Sequence, residues 1–156
     1  MGGVMLVLLL LLAFTVFVLN PVIMKAFLCM LRSIISIFSP PISSQDELEK
    51  LLKSERVKLG LLDKKIKALL VAPRSLFEAD VEKINADFYL IRCARGSTRT
   101  SVSHELYHIY DAAAEEYWAT RRFIWEIKYL YWWEPRAIFY EFRRLRACNL
   151  VLKQAS

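Results

Sequence analysis

Both histidines of the 156-residue chain fall within "SVSHELYHIYDAAAEEYW", residues 101–118. His104 and His108 stand four apart, and Glu105 directly follows the first. On an α-helix, positions i and i+4 project from one face a turn apart. Two imidazoles so placed reach a single tetrahedral ion at about 2.0–2.1 Å. The glutamate between them projects beside that ion, where it can take a proton from a water without occupying a coordination position. Residue type and spacing therefore predict a zinc site at His104 and His108, with Glu105 as general base. A helix with two unremarkable histidines would show the same spacing. Against it stand the use of both histidines here and the carboxylates that follow.

A third ligand must come from Asp111, Glu115, Glu116, Glu126, Glu134 or Glu141. Glu115 lies seven residues past His108, which is about 10 Å along a helix at about 1.5 Å per residue. That distance excludes it on an unbroken helix. Asp111 is better placed to accept an imidazole N–H from outside the ligand set. Glu126 fits if the chain turns back early. Glu134 lies twenty-six residues past His108, with room for a loop and a returning helix. Glu141 either orients a ligand histidine or pairs with an arginine of its own helix.

"HELYHIYDA" followed by "EPRAIFYE" resembles the gluzincin-type zinc metallopeptidases, over roughly residues 85–145. The wording is most similar to the mitochondrial inner-membrane metallopeptidases of ATP synthase assembly and to small bacterial metallopeptidases. The resemblance implies His104, His108 and Glu134 as ligands, with Ala137 as the small residue three past the third ligand. It also implies Glu105 as the base, a peptide or protein substrate, and a strand ahead of the metal helix at the edge of the cleft. The chain departs from the pattern in Pro135, directly after Glu134, and lacks the cysteines of the mitochondrial proteins. Hydrolysis would need a further group to stabilise the oxyanion, and Tyr107, Tyr110, Tyr131 and Tyr140 are available.

The elements that must position these residues are read from periodicity. Ser44 and Glu47 form a capping-box pattern. Leu48, Leu52, Leu59, Leu62, Ile66 and Leu69 then predict an amphipathic helix, with Gly60 as a possible interruption and Glu55 off the pattern. Residues 74–86 predict a short helix burying Leu76, Val81 and Ile84. "DFYLIRCA", 87–94, predicts a strand. Helices follow from about Val102 and from about Tyr117 to Tyr131. Pro135 interrupts, and a final helix closes the chain. The expected fold is mostly α with a small β element, a minimal zincin-like α+β domain at 45–156.

The remaining residues predict placement. Val4 to Leu19 contains sixteen uncharged residues, and the run to Met24 makes twenty-one, long enough for a transmembrane helix over about 4–24. Asn20-Pro21 should bend its far end. The apolar segment 26–38, carrying Arg32, completes a membrane anchor at 1–38, and "SPPISS", 39–44, is the linker. Lys25 and Arg32 follow the span, so the positive-inside rule puts the C-terminal domain on the cytoplasmic side. Cys29, Cys93 and Cys148, odd in number and scattered, suit reduced thiols. The net charge of +6 comes with no nucleic-acid-binding signature, so nucleic acid is not an expected partner. The expected function is a membrane-anchored zinc metallopeptidase. The competing expectation is a membrane-anchored interaction protein on a peptidase fold that no longer cuts.

Overall fold

The apolar N-terminus divides in two at Asn20. In the computed structural model, which describes residues 2–72, 79–113 and 122–154, α1 (Gly2–Leu19) ends there and α2 (Pro21–Ile37) begins. Asn20 is extended, and its side chain accepts from the N–H groups of Val22 and Ile23. Pro21 occupies the first helical position, where no donor is needed. The predicted single helix over 4–24 is therefore not formed. Eighteen residues rise about 27 Å, short of the hydrocarbon core of about 30 Å. Among the described residues, no helix is long and apolar enough to cross a membrane.

Ser44 caps α3 (Gln45–Leu59) through the Glu47 N–H, and Glu47 reaches back to the N–H and hydroxyl of Ser43. The helix stops at Gly60, whose φ of 68° is left-handed. It does not run on to Leu69 as the leucine spacing predicts. Residues 65–71 instead form β1 (Lys65–Val71), with Ile66 and Ala68 inward and Lys65 and Lys67 outward. Alternation of period two outweighs the helical reading there.

The predicted helix over 74–86 is replaced, within the described residues, by β2 (Ala79–Lys83). Val81 packs against the core, Ile84 is exposed, and Leu76 lies outside the described residues. β3 (Phe88–Ala94) matches the predicted strand. It is the central strand and not an edge: it pairs in parallel with β1 and antiparallel with β2, in the order β1-β3-β2. Both its edges are therefore paired within the sheet, which leaves none for an extended substrate to pair with. The chain is thus mostly helical with one three-stranded sheet among the described residues, an α+β fold.

Thr98 caps α4 (Arg99–Tyr110), accepting from the Ser101 N–H. The stretch 39–44 lies against this start. Ile42 donates to the Ser97 carbonyl, and Arg99 donates to that of Pro40. The last helical run has three parts: α5 (Arg122–Lys128), a π-helical turn at Tyr129–Trp133, and α6 (Glu134–Gln154). Pro135 does not interrupt it. Proline lacks the N–H and crowds the carbonyl four residues back. The turn before it widens instead, and Glu134 donates to Tyr129, five residues away.

Two apolar clusters hold the elements. Leu48 and Leu52 of α3, the sheet, and Val102, Leu106 and Ile109 of α4 form the first. Leu28 and Ile35 of α2 with Ile138 and Leu145 of α6 form the second, joined by Met24, Leu31 and Leu130. α2 is therefore fastened to α6. Away from that contact, Val22, Met30, Ile34 and Ile37 of α2 and Val4 to Leu12 of α1 are exposed apolar residues.

Candidate metal centre

α4 is buried on nearly every face, which is unusual for a helix containing two histidines, a glutamate and three Ser/Thr residues. Each face meets a different neighbour. Val102, Leu106 and Ile109 enter the first apolar cluster, and Ser103 donates to Glu55 of α3. His104 and His108 face α6 and the π-helical turn, and Glu105 faces α2.

Three ligand-type atoms converge between α4 and the head of α6. Nε2 of His104 and Nε2 of His108 are 3.1 Å apart. Oε2 of Glu134 lies 3.4 Å from the first and 3.2 Å from the second. A tetrahedral ion with bonds of about 2.0–2.1 Å requires ligand atoms about 3.3 Å apart, and this triangle is close to that. Oε2 of Glu134 is buried without a hydrogen-bond partner. A buried carboxylate oxygen facing two imidazole nitrogens needs positive charge between them, which a bound cation or an imidazole proton supplies. His104, His108 and Glu134 could thus hold a metal ion.

Electrostatics point the same way. Burial and the charge of Arg32 push His104 down, yet Glu134 and Glu141 outweigh them and raise its pKa to about 9. Burial opposes ionisation of Glu134, but the two imidazoles hold its carboxyl far below the usual range. The field at the triangle favours positive charge. Three carboxylates, Glu105, Glu134 and Glu141, stand against one guanidinium, Arg32. With the imidazoles neutral, as a metal would bind them, two formal negative charges are left over for a divalent cation to balance.

The outer groups divide unequally. Oε2 of Glu141 sits 3.1 Å from Nδ1 of His104, and both residues are fully buried. A carboxylate only accepts, so Nδ1 donates to it and Nε2 is the nitrogen that faces the triangle, where its lone pair would be free in the neutral imidazole that a metal binds. Asp111 makes no such bond. Arg136 takes its Oδ1 at 2.9 Å, while its Oδ2 and Nδ1 of His108 are both buried without partners. Asp111 is the residue just past the end of α4, and the guanidinium of Arg136 takes its carboxylate. Glu126 is exposed and outside the triangle, and Glu115 and Glu116 lie outside the described residues.

Two residues at the centre escape sequence reasoning. Tyr129 packs its ring on His108, with centroids 5.2 Å apart, and brings its hydroxyl to 3.3 Å from Nε2 of that residue. Burial first, then the charge of Glu134, raises its pKa well above the ordinary value. The hydroxyl therefore keeps its proton and can donate. Of the tyrosines predicted to serve here, Tyr140 donates to Glu55, Tyr107 stacks on Tyr140, Tyr110 is exposed, and the Tyr131 hydroxyl is buried without a partner. The second is Arg32, whose Nη2 lies 2.9 Å from Oε1 of Glu105. A lone arginine in an apolar segment was the available signal.

Behind the centre, Glu55 is wholly buried and braces three helices. It accepts from Lys58 of α3, Ser103 of α4, and Tyr140 and Arg144 of α6. Ser103 and Tyr140 are the chain neighbours of His104 and Glu141. The brace thus fixes the two helices that carry the triangle.

Compared with known proteins, the chain matches no family model, no curated protein and no solved structure.

Proposed function

We propose that the protein is a zinc metallopeptidase that hydrolyses a peptide or protein substrate. The observation that carries this reading is the buried triangle of His104, His108 and Glu134, with Glu105 directly following the first of these on the same buried helix. Two imidazoles and one carboxylate form the donor set of catalytic zinc sites that leave one position open. When bound, zinc supplies Lewis acidity and makes a water nucleophilic near neutral pH.

The chain's own residues do the rest. Glu141 holds the His104 imidazole in the tautomer that leaves Nε2 free. Glu105 takes the proton of the attacking water and returns it to the departing amine. Tyr129, protonated and beside His108, donates to the oxygen of the scissile carbonyl as negative charge develops on it. A site this buried exchanges its water for fixed dipoles, which strengthens each of these interactions.

Full-length protein should bind one zinc per chain and cleave unstructured peptides. Glu105→Gln should keep the metal and lose cleavage, and His104→Ala with His108→Ala should lose both. Wild-type protein that takes up no zinc from excess metal would sink the reading. Retained cleavage in Glu105→Gln would remove the base from it.

Placement is a separate part of the proposal. α1 is apolar all round, with Val4 to Leu12 exposed, and a helix of that kind is stable only against lipid or another apolar surface. We infer association with a membrane. Recovery of the protein in the soluble fraction after lysis without detergent would count against it.

A further inference from the structure

The catalytic helix is not the only part of the chain to reach the proposed base. Arg32 stands on the face of α2 that packs on α6, one turn after Leu28 and one turn before Ile35. Those two leucine and isoleucine contacts fix the helix, and the guanidinium is delivered from it to Glu105. Nη2 to Oε1 is 2.9 Å, with side-chain exposures of 17% and 7%. Among the described residues the engaged oxygen is Oε1, and Oε2 remains to accept a proton. Burial disfavours the guanidinium charge, but Glu105, Glu134 and Glu141 together more than restore it.

A buried arginine is costly unless its partner is fixed. Here that partner is the residue the chemistry needs in one orientation. A glutamate carboxylate on three rotatable bonds, left alone near a metal, can swing in and ligate it. A guanidinium bonded to one of its oxygens restrains that swing.

Resting on the metallopeptidase reading, we propose that Arg32 is a positioning residue: from the N-terminal apolar helix α2 it fixes the Glu105 carboxylate as a proton acceptor beside the metal. The catalytic unit then includes residues 21–37, and α2 is part of the active site.

The test uses full-length protein loaded with Co(II), whose visible spectrum reports both metal and ligand. Acetohydroxamic acid binds a metal as its anion. Its O–H bond breaks and the proton passes to a neighbouring base, so its affinity reports on Glu105 without turnover. Arg32→Met should leave cobalt affinity within about threefold and weaken acetohydroxamate about tenfold, the size of effect a coupled neighbour gives. It should lower kcat on a cleaved peptide with KM unchanged, and Arg32→Lys should restore part of both.

Arg32→Met with Glu105→Gln should bind acetohydroxamate no more weakly than Glu105→Gln alone, because one residue acts through the other. Additive losses would overturn the proposal in favour of a direct contact to ligand. Unchanged binding, lost cobalt, or tighter binding with faster turnover would each overturn it, the last by showing α2 to be a latch. If Arg32→Met does not fold, Arg32→Gln carries the same comparisons. Coupling without peptide cleavage would refute the peptidase reading and sustain Arg32, and cleavage without coupling would do the reverse.

Discussion

His104 and Glu141 are both without solvent exposure and meet through Nδ1 and Oε2 at 3.1 Å. The contact ties the first helix of the centre to the second at a point behind the triangle. It sets the tautomer of the imidazole and the rotation of its ring, both of which a metal would read. Glu141→Leu should therefore weaken zinc about 10–100-fold, while Glu141→Gln, which can still accept, should weaken it less. Competition against a chromophoric chelator measures both. Equal affinity in Glu141→Leu would show that ring packing alone orients His104.

Metal should also stabilise the fold, because the triangle is assembled only when α4 and α6 are docked. A ligand that binds only the folded chain contributes about 4 kcal/mol at a thousandfold excess over Kd. Thermal melts with and without EDTA should differ by several degrees. Glu134→Ala should abolish that difference. A chelator-insensitive midpoint in wild-type protein would mean that the ion contributes nothing to docking.

How much of this could be read from the chain depends on where the signal lay. The spacing of His104 and His108 survives because a helix converts it directly into geometry. Glu134 needed the resemblance, since nothing in its own neighbourhood distinguishes it from Glu126. Tyr129 was not legible: helical numbering places it elsewhere, and the widened turn at Tyr129–Trp133 that brings it to His108 is a response to Pro135. Arg32 was obscured by its surroundings. An apolar run from Val4 to Phe38 suggests lipid, and only the tertiary packing of Leu28 and Ile35 on α6 shows that one face of α2 is core. The strand at Lys65–Val71 reads as part of the preceding helix because Leu59, Leu62, Ile66 and Leu69 continue a helical spacing past Gly60. Its alternating lysines were the better guide.

Tyr129→Phe tests the remaining group at the centre. The hydroxyl is 3.3 Å from Nε2 of His108 and no ligand of the triangle depends on it. Zinc content should stay stoichiometric, and kcat should fall about 100-fold with KM little changed, the usual cost of one oxyanion donor. A loss carried by KM alone would reassign Tyr129 to ground-state binding.

Gly60 provides a test confined to the fold. Its φ of 68° ends α3 and aims the chain into β1, and a Cβ there would meet nothing within 4 Å. The cost of Gly60→Ala is then conformational alone, about 1 kcal/mol. Gly60→Asn should cost less, since asparagine tolerates the left-handed region. Urea unfolding of the two variants compares them. Equal losses would show that the helix end has shifted.

Glu55 should make stability depend on acid. Burial opposes its ionisation, but the bonds from Lys58 and Arg144 prevail and hold its pKa below the ordinary value of 4.5. A carboxyl depressed in the folded state binds its proton more readily when unfolded. Its contribution is therefore complete above about pH 4.5 and is lost as pH falls through the lower folded value. Glu55→Gln should be destabilised at neutral pH by about 3 kcal/mol, the low end for breaking a buried pair. That end is expected because Lys58 and Arg144 retain partial access to water. Below the folded pKa the wild-type carboxyl is protonated as well, so the two proteins should converge there. Denaturant unfolding at neutral pH and at stepwise lower pH would show this convergence. A difference that stays constant into acid would mean the charge of Glu55 does not hold the brace, and that shape and hydrogen bonding alone keep Ser103 and Tyr140 in place beside the centre.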